Sequence, residues 1–432
     1  MAYVPVAFIL AGMTAYTVLA GADFGAGLWT LLAVGRSPGA RRIRDEARHA
    51  MGPVWEANHV WLIFVLVIAW TAYPIAYGSI TSTLAAPLLI AAIGIIFRGA
   101  AYALRGALDE SRFAEYLFAL SSLLTPFALG TAIGAIAIGR VPVGNALGDP
   151  VTSWLNPASV LIGALAVAFS GYLAAVYLAA DSRRHSQAPG AGGVAGAGGV
   201  ATAGEIAEAG GDDGTLANAF RRRALAAGLV CGALALAGLL VMRDSGLNLT
   251  HGAALALVCV SAAAGLSTLL LCWWYRFELA RVTAALAVAA VVVGWAAGQA
   301  PRFLPGLTVV QAAAGRSTLV ALIIAVGCGA VVLVPSLALL FTLYLRGRLD
   351  TSEHEAARGP VAAPAAGSAV DAREPTPTGI RVRAWRSAAV LGLVAGTGLL
   401  VFADANWAHL AGVACLVVCA VAVFLLAAPG DV

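Results

Sequence analysis

The chain has 432 residues, of which 61% are hydrophobic and only 11% charged, and its formal net charge is +4. A soluble protein of this length could not keep so much apolar surface away from water, whereas each helix in lipid needs about 20 apolar residues to cross. The composition therefore excludes an ordinary soluble protein and predicts an all-α, polytopic membrane helical bundle.

Apolar runs of membrane length predict about eleven transmembrane helices. The first run lacks a basic region before it and is longer than a signal peptide, so we expect it to be a spanning helix and not a cleaved signal. The predicted spans are 4–32, 54–77, 80–104, 113–138, 157–180, 224–241, 249–275, 281–300, 319–345, 388–403 and 407–426.

Arginine positions support this count, because connections on the cytoplasmic side of a membrane protein carry most of the basic residues. All the basic residues are arginine, and nearly all of them follow the odd-numbered spans. This alternation predicts a multi-pass membrane protein with its N-terminus outside and its C-terminus in the cytoplasm.

Two segments interrupt the apolar pattern, and both fall on the predicted cytoplasmic side. Residues 186–218 consist largely of glycine and alanine, and residues 359–379 of proline, alanine and glycine. Such compositions bury too little apolar surface to fold, so we expect flexible linkers near 181–220 and over 347–386. The predicted organisation is a nine-helix core over 1–346 and a terminal helix pair over 387–432.

Asp23 is the first candidate functional residue, because it lies well inside the first predicted span. Glycines at 21, 25 and 27 flank it, and small residues let a second helix approach closely, so the carboxyl is expected to face the bundle. An ionisable residue at this depth indicates a functional site. The alternative is a buried acid that serves packing alone.

Glu56 and His59 lie near the start of the second predicted span. Pro53 suits the first turn of a helix, which places these two side chains about one turn further in, on a shared face. They could form part of a chain that passes protons. Alternatively, Glu56 only stabilises the helix dipole, and His59 is an interfacial residue without a role in transfer.

Arg98 lies at or inside the end of the third predicted span and requires either a carboxylate or a lipid phosphate. Pairing with Glu56 across the helices and extension toward the headgroups are both compatible with its position.

The remaining polar residues indicate no haem or metal site within this chain, and they leave open whether it binds a cofactor. No two histidines share a helix face inside the membrane with ligand spacing, and the cysteines fall in apolar runs, where we interpret them as packing residues. The glycine-rich stretches lack the context of a phosphate loop. The topology accounts for the arginine clusters, so no binding of nucleic acid is expected.

Four motifs follow one another in the first hundred or so residues. They are Gly21-Ala22-Asp23-Phe24-Gly25; the stretch from Gly52 to Ile63, which contains Trp55-Glu56-Ala57-Asn58-His59; Tyr73-Pro74-Ile75-Ala76-Tyr77; and Phe97-Arg98 with Tyr102 and Arg105. In this order and spacing they resemble subunit II of the cytochrome bd-type quinol oxidases. That family usually has Asp where this chain has Glu56, an acid or amide in place of His59, and nine spans.

The resemblance implies a haem-free subunit that pairs with subunit I, which carries haem b and haem d type groups and oxidises quinol. It also implies that Asp23 and Glu56 supply a proton route from the cytoplasm, with His59 and Arg98 in support, while dioxygen is reduced to water. Two other hypotheses stay open: a proton-coupled secondary transporter, for which paired broken helices would be evidence, and a structural homologue without a working proton route.

Overall fold

The fold is seen in a computed structural model that describes residues 1–33, 55–103, 112–187, 203–243, 247–345 and scattered positions between 385 and 422. The chain divides into two compact units, Met1–Leu339 and Leu340–Val432. The predicted linker over 347–386 lies almost entirely outside the described residues.

The first unit contains nearly all of the described helices. They are α1 (Val4–Leu32), α2 (Trp55–Ala72), α3 (Pro74–Thr83), α4 (Ala85–Ala103), α5 (Arg112–Ala137), α6 (Pro157–Gln187), α7 (Ala203–Val241), α8 (Gly252–Trp273), α9 (Phe277–Gln299), the short α10 (Val309–Ala312) and α11 (Arg316–Leu345), the last of which runs into the second unit. Two short strands, β1 (Arg302–Leu304) and β2 (Leu307–Thr308), form an antiparallel pair.

The predicted polytopic helical bundle is confirmed. Within the described residues, seven helices are long and apolar enough to cross a membrane, or eight if α3 and α4 count as one bent span; α2 contributes a shorter apolar helix. Each of the nine predicted spans before residue 346 overlaps a helix, in the predicted order. The total of eleven stays a prediction, as do the positions of the termini relative to the membrane.

Two predicted boundaries are wrong. The segment 203–218 was expected to be part of a flexible linker, yet α7 already begins at Ala203, and α6 continues to Gln187. Alanine has the highest helix propensity, and the acids near the start of α7 favour the positive end of its dipole, which outweighs the low apolar content. Residues 188–202, between these two helices, lie outside the described residues.

The second and third predicted spans also meet at a different place. The helix α2 ends at Ala72, and Pro74 starts α3, which makes an angle of 81° with α4. Proline cannot continue the preceding helix because it has no N–H to donate, but it fits the first turn of a new one. The carbonyl of Ala72 instead accepts a hydrogen bond from the N–H of Ala314, at 2.8 Å.

The helix α6 lies at the centre of the bundle and packs against α1, α5, α7 and α9. Between Leu173 and Ala180 it is almost completely buried, and most of these residues are alanine or other small apolar residues. Small side chains let helix backbones approach closely. In lipid, the acyl chains are as apolar as the helix surfaces, so the hydrophobic effect does not drive the helices together and close packing holds them instead.

The two ends of the bundle differ in composition. At one end, arginine-bearing parts of α6, α7 and α9 lie close to neighbouring helices: Arg183 of α6 donates to the carbonyl of Tyr275 just before α9, and Arg223 of α7 lies over Trp29 of α1. At the opposite end, buried Tyr73 contacts the ring of Phe303 in the hairpin and donates to the carbonyl of Ala2. The structure thus gathers these arginine-bearing connections at one face, as the alternation predicts.

In the second unit, the described residues are helical, and the two predicted spans contact one another. A methyl group at Gly392 would lie 2.7 Å from the carbonyl oxygen of Cys415 and 3.1 Å from Cβ of Cys419. The six cysteines are free thiols. Cys415 and Cys419 thus line a close helix contact, which agrees with their interpretation as packing residues.

Candidate functional site: a buried ion pair between α1 and α4

Asp23 lies in the most enclosed part of α1, where every residue from Ala20 to Gly27 is buried. Glycine makes this possible. A Cβ at Gly25 would lie only 1.8 Å from the carbonyl oxygen of Ser170 in α6, and one at Gly27 only 1.9 Å from Oγ of Ser122 in α5. The prediction that the glycines admit neighbouring helices and turn the acid into the bundle is confirmed; the side chain is 1% exposed.

The partner of Asp23 is Arg98 of α4. Nε of Arg98 donates to Oδ2 of Asp23 at 2.8 Å, and Nη2 donates to Oδ1 at 2.6 Å. The same Nη2 also donates to the backbone carbonyl of Asp23 at 2.7 Å. This is a bidentate pairing, the strong and geometrically specific form of an arginine–carboxylate contact. Arg98 is completely buried, so its extension toward the headgroups is wrong.

Helix α5 and the next residue of α1 enclose the guanidinium of Arg98. Its Nη1 donates to Oγ of Ser122 at 2.9 Å, while its Cζ lies 4.4 Å from the ring centre of Phe118 and 4.8 Å from that of Phe24. Aromatic faces attract a cation, and more strongly when water is excluded. The pair is therefore held by α1, α4 and α5 together, and loss of one partner would leave a buried charge uncompensated, at a cost of about 3–5 kcal/mol.

The helix α2 brings further polar groups to the same side of α1. The ring of His59 lies 6.1 Å from that of Tyr16 and 6.2 Å from that of Phe24, which places the imidazole beside the turn of α1 that carries Asp23. Asn58 is 3% exposed. Oδ1 of Asn58 and the hydroxyl of Tyr16 are buried polar atoms without a hydrogen-bond partner in the described part of the chain.

Glu56 cannot be placed with the others. Its backbone belongs to α2, but its side chain lies outside the described residues. The pairing of Arg98 with Glu56, and the contribution of Glu56 to a proton route, thus stay predictions. Of the four predicted site residues, the structure brings together Asp23, Arg98 and His59.

Sequence reasoning missed the pairing of Asp23 with Arg98 and the supporting contacts from Ser122 and Phe118. A signal for the pairing existed, since a carboxylate and a guanidinium inside apolar spans are each expected to find an opposite charge. Serine and phenylalanine in an apolar helix carry no comparable signal. Among the residues that the structure describes, no group of three or more His, Cys, Asp or Glu side chains could hold a metal ion.

The chain is similar to known subunits of cytochrome bd oxidases. Residues 1–344 match the family model for cytochrome bd terminal oxidase subunit II. The cytochrome bd ubiquinol oxidase subunit 2 of Bacillus subtilis is 28% identical over 149 residues, which are 34% of this chain and 43% of that protein. The cytochrome bd-I ubiquinol oxidase subunit 2 of Escherichia coli K12 is 26% identical over 127 residues, 29% of this chain and 32% of that protein.

These alignments span less than half the length of either curated relative. A chain of the bd oxidase from Geobacillus thermodenitrificans has a similar fold, with a TM-score of 0.57 and 21% identity, over 80% of this chain and 98% of that chain. The family match covers the whole first unit, including the ion pair. This multi-pass membrane protein belongs to the cytochrome bd terminal oxidase subunit II family.

Proposed function

We propose that this chain is the haem-free partner subunit of a terminal respiratory oxidase in a bacterial inner membrane. In this assembly, subunit I carries the haem b and haem d type groups, oxidises quinol and reduces dioxygen to water. The chain described here stabilises that subunit and supplies a proton route from the cytoplasm. Family membership supports the partnership, and the observation that carries the proton route is the buried pair of Asp23 and Arg98.

The pair suits proton transfer because the guanidinium of Arg98 stabilises the negative charge of the Asp23 carboxylate where both side chains are buried. Arg98 stabilises Asp23 as a carboxylate in a site that excludes water. In this route Asp23 accepts a proton on a carboxylate oxygen and passes it to the next acceptor, while Arg98 holds the carboxylate in place. The arginine stays charged throughout, since a guanidinium does not deprotonate in proteins.

The polar atoms of α2 could extend the route. The ring of His59 lies beside Tyr16 of α1, while Oδ1 of Asn58 and the hydroxyl of Tyr16 are buried, and buried polar atoms of this kind can bind water. Glu56 is the second residue of α2, and the arginine alternation predicts that this end of the helix faces the cytoplasm. We assign it the entry of protons from the cytoplasm, and His59 a supporting position between Glu56 and Asp23.

The experiment compares single and paired substitutions in the purified oxidase complex. Asp23→Asn removes the carboxylate but leaves Arg98 buried without its counter-charge, so a loss of activity alone would not separate transfer from stability. The double variant Asp23→Asn with Arg98→Gln removes both charges and is expected to assemble better than either single variant. Quinol-dependent oxygen consumption and the haem content of the complex are measured for each.

A proton role predicts that the double variant retains haem but turns over slowly. Glu56→Gln is expected to lower turnover while the complex stays assembled. Wild-type turnover in the double variant would refute the proton route and favour a purely structural subunit.

The transporter hypothesis has less support. A secondary transporter built from repeats would place broken helices in paired positions. Within the described residues there is one bent pair, formed by α3 and α4.

A further inference from the structure

The arginine-rich end of the bundle contains more cations than acids with described side chains. Near the end of α6, the middle of α7 and the start of α9, the acids with described side chains are Asp181 and Glu278. The arginines there are Arg183, Arg184, Arg221, Arg222, Arg223, Arg276 and Arg281.

Two arginines already occupy both carboxylates. Arg184 and Glu278 form a pair with an Nη2–Oε2 distance of 2.5 Å. Arg281 lies 3.0 Å from Oδ1 of Asp181 and 3.9 Å from Oε2 of Glu278. Among the described side chains, no ion pair joins Arg221 or Arg223 to a carboxylate.

Arg221 and Arg223 of α7 are held by aromatic rings. Cζ of Arg221 lies 4.4 Å from the ring centre of Tyr275 and 5.4 Å from that of Trp273, and its buried Nε has no hydrogen-bond acceptor within the described residues. Cζ of Arg223 lies 5.7 Å from the ring centre of Trp29. Ring faces orient a guanidinium but leave its N–H donors available, so each of these arginines can still bind an anion.

The turn between α8 and α9 carries Tyr275, whose ring lies against Arg221. Tyr275 has a φ of +59°, a left-handed conformation that is uncommon for a residue other than glycine. Its hydroxyl donates to Oδ1 of Asn218 at 3.0 Å, and its carbonyl accepts from Arg183. Contacts from α6 and α7 therefore hold the ring under Arg221, and the arrangement exists before any ligand binds.

The neighbouring tryptophans indicate the depth of the site. Trp273, the last residue of α8, and Trp274, the first residue after it, are 62% and 64% exposed. In membrane proteins, exposed tryptophans concentrate at the level of the lipid headgroups. The anion that is abundant at this level is the phosphate of a phospholipid, and basic pockets between transmembrane helices bind such groups.

We propose that Arg221 and Arg223, oriented by Tyr275, Trp273 and Trp29, bind the phosphate of an anionic phospholipid headgroup. The fork of N–H donors in a guanidinium matches phosphate oxygens in a bidentate geometry. A lipid bound in this way would join α1, α7 and the turn before α9. This site lies apart from the Asp23–Arg98 pair and does not depend on the proton route.

The test uses the full chain with whatever subunits it carries, purified in detergent and stripped of lipid. Native mass spectrometry then follows the binding of phosphatidylglycerol, with phosphatidylcholine as the zwitterionic comparison. We expect Arg221→Gln and Arg223→Gln each to weaken phosphatidylglycerol binding about tenfold and to leave phosphatidylcholine unchanged. Arg221→Lys keeps the charge but loses the fork and the ring contact, so an intermediate affinity is expected.

The matched control is Arg316→Gln, which removes an exposed arginine from the first turn of α11, outside this cluster. Equal loss of phosphatidylglycerol in this control, or no loss in the α7 variants, would overturn the proposal. Binding of inorganic phosphate that depends on Arg221 and displaces the lipid at equal concentration would assign the site to a soluble anion instead. Loss of a companion subunit from Arg221→Gln with unchanged lipid binding would identify a protein carboxylate as the true partner. If Arg221→Gln does not fold, Arg223→Gln and Arg221→Lys carry the test.

Discussion

Gly25→Ala would test the close contact that buries the ion pair. The added Cβ would lie 1.8 Å from the carbonyl oxygen of Ser170, 2.3 Å from its carbonyl carbon and 2.7 Å from Cβ of Ala174. Ordinary contact begins near 3.4 Å, so α1 and α6 would have to separate by about 1.6 Å. The obstacle is helix backbone, which cannot rotate aside as a side chain could.

Gly25→Ala should lower the stability of the protein by an amount at the upper end of the range for overpacked cores, which is about 1–3 kcal/mol. The control is Gly265→Ala in α8, where an added Cβ meets nothing within 4 Å. Alanine is favoured over glycine inside a helix by about 1 kcal/mol, so this control should be neutral or slightly stabilising. The two variants make the same chemical change and should differ by about 2–4 kcal/mol.

The assay is thermal unfolding of the purified complex, followed by the amount of intact complex that remains after heating. Gly25→Ala should melt at a lower temperature than wild type, and Gly265→Ala should not. Equal melting temperatures for the two variants would refute the inference that α1 and α6 touch backbone to backbone at this point. It would also remove the explanation for how Asp23 is buried.

Three further predictions concern single contacts. Ser122→Ala removes the acceptor for Nη1 of Arg98 and should destabilise the complex by about 1.5–3 kcal/mol, as expected for a hydrogen bond to a charged group; a thermal melt like that of wild type would contradict this. Tyr73→Phe keeps the buried ring against Phe303 but loses the hydrogen bond to the carbonyl of Ala2, so thermal unfolding should show a loss of about 1 kcal/mol. Asp149 lies in the connection between α5 and α6, where the backbone N–H groups of Thr152 and Val151 donate to it and lower its pKa. The hydrogen bonds to the ionised Asp149 carboxylate stabilise this turn at neutral pH, and this stabilisation is lost as the pH falls below the usual aspartate pKa near 3.9. Asp149→Asn should therefore raise hydrogen exchange of the turn at pH 7. The difference from wild type should shrink in acid, where the wild-type carboxyl is protonated.

Much of the fold could be predicted because membrane helices form their backbone hydrogen bonds internally and can be recognised from the length and hydropathy of their apolar runs. The runs that became α1, α5 and α11 were located to within a few residues. The errors occurred where hydropathy is not decisive. The alanine-rich start of α7 is helical despite its low apolar content, and the break at Tyr73 depends on which carbonyl groups neighbouring elements can satisfy.

The sequence by itself determined the class of protein, the order of the helices, the face that carries the arginines and the candidates Asp23 and Arg98, because each follows from local composition or from the cost of a charge in lipid. The tertiary structure decided that these two residues pair with each other. That pairing depends on contacts between α1, α4, α5 and α6, which are far apart in the chain. It also depends on glycines of α1 that leave room for the neighbouring helices. A helical pattern records which face is small or apolar, but only the packed bundle shows which neighbour that face meets.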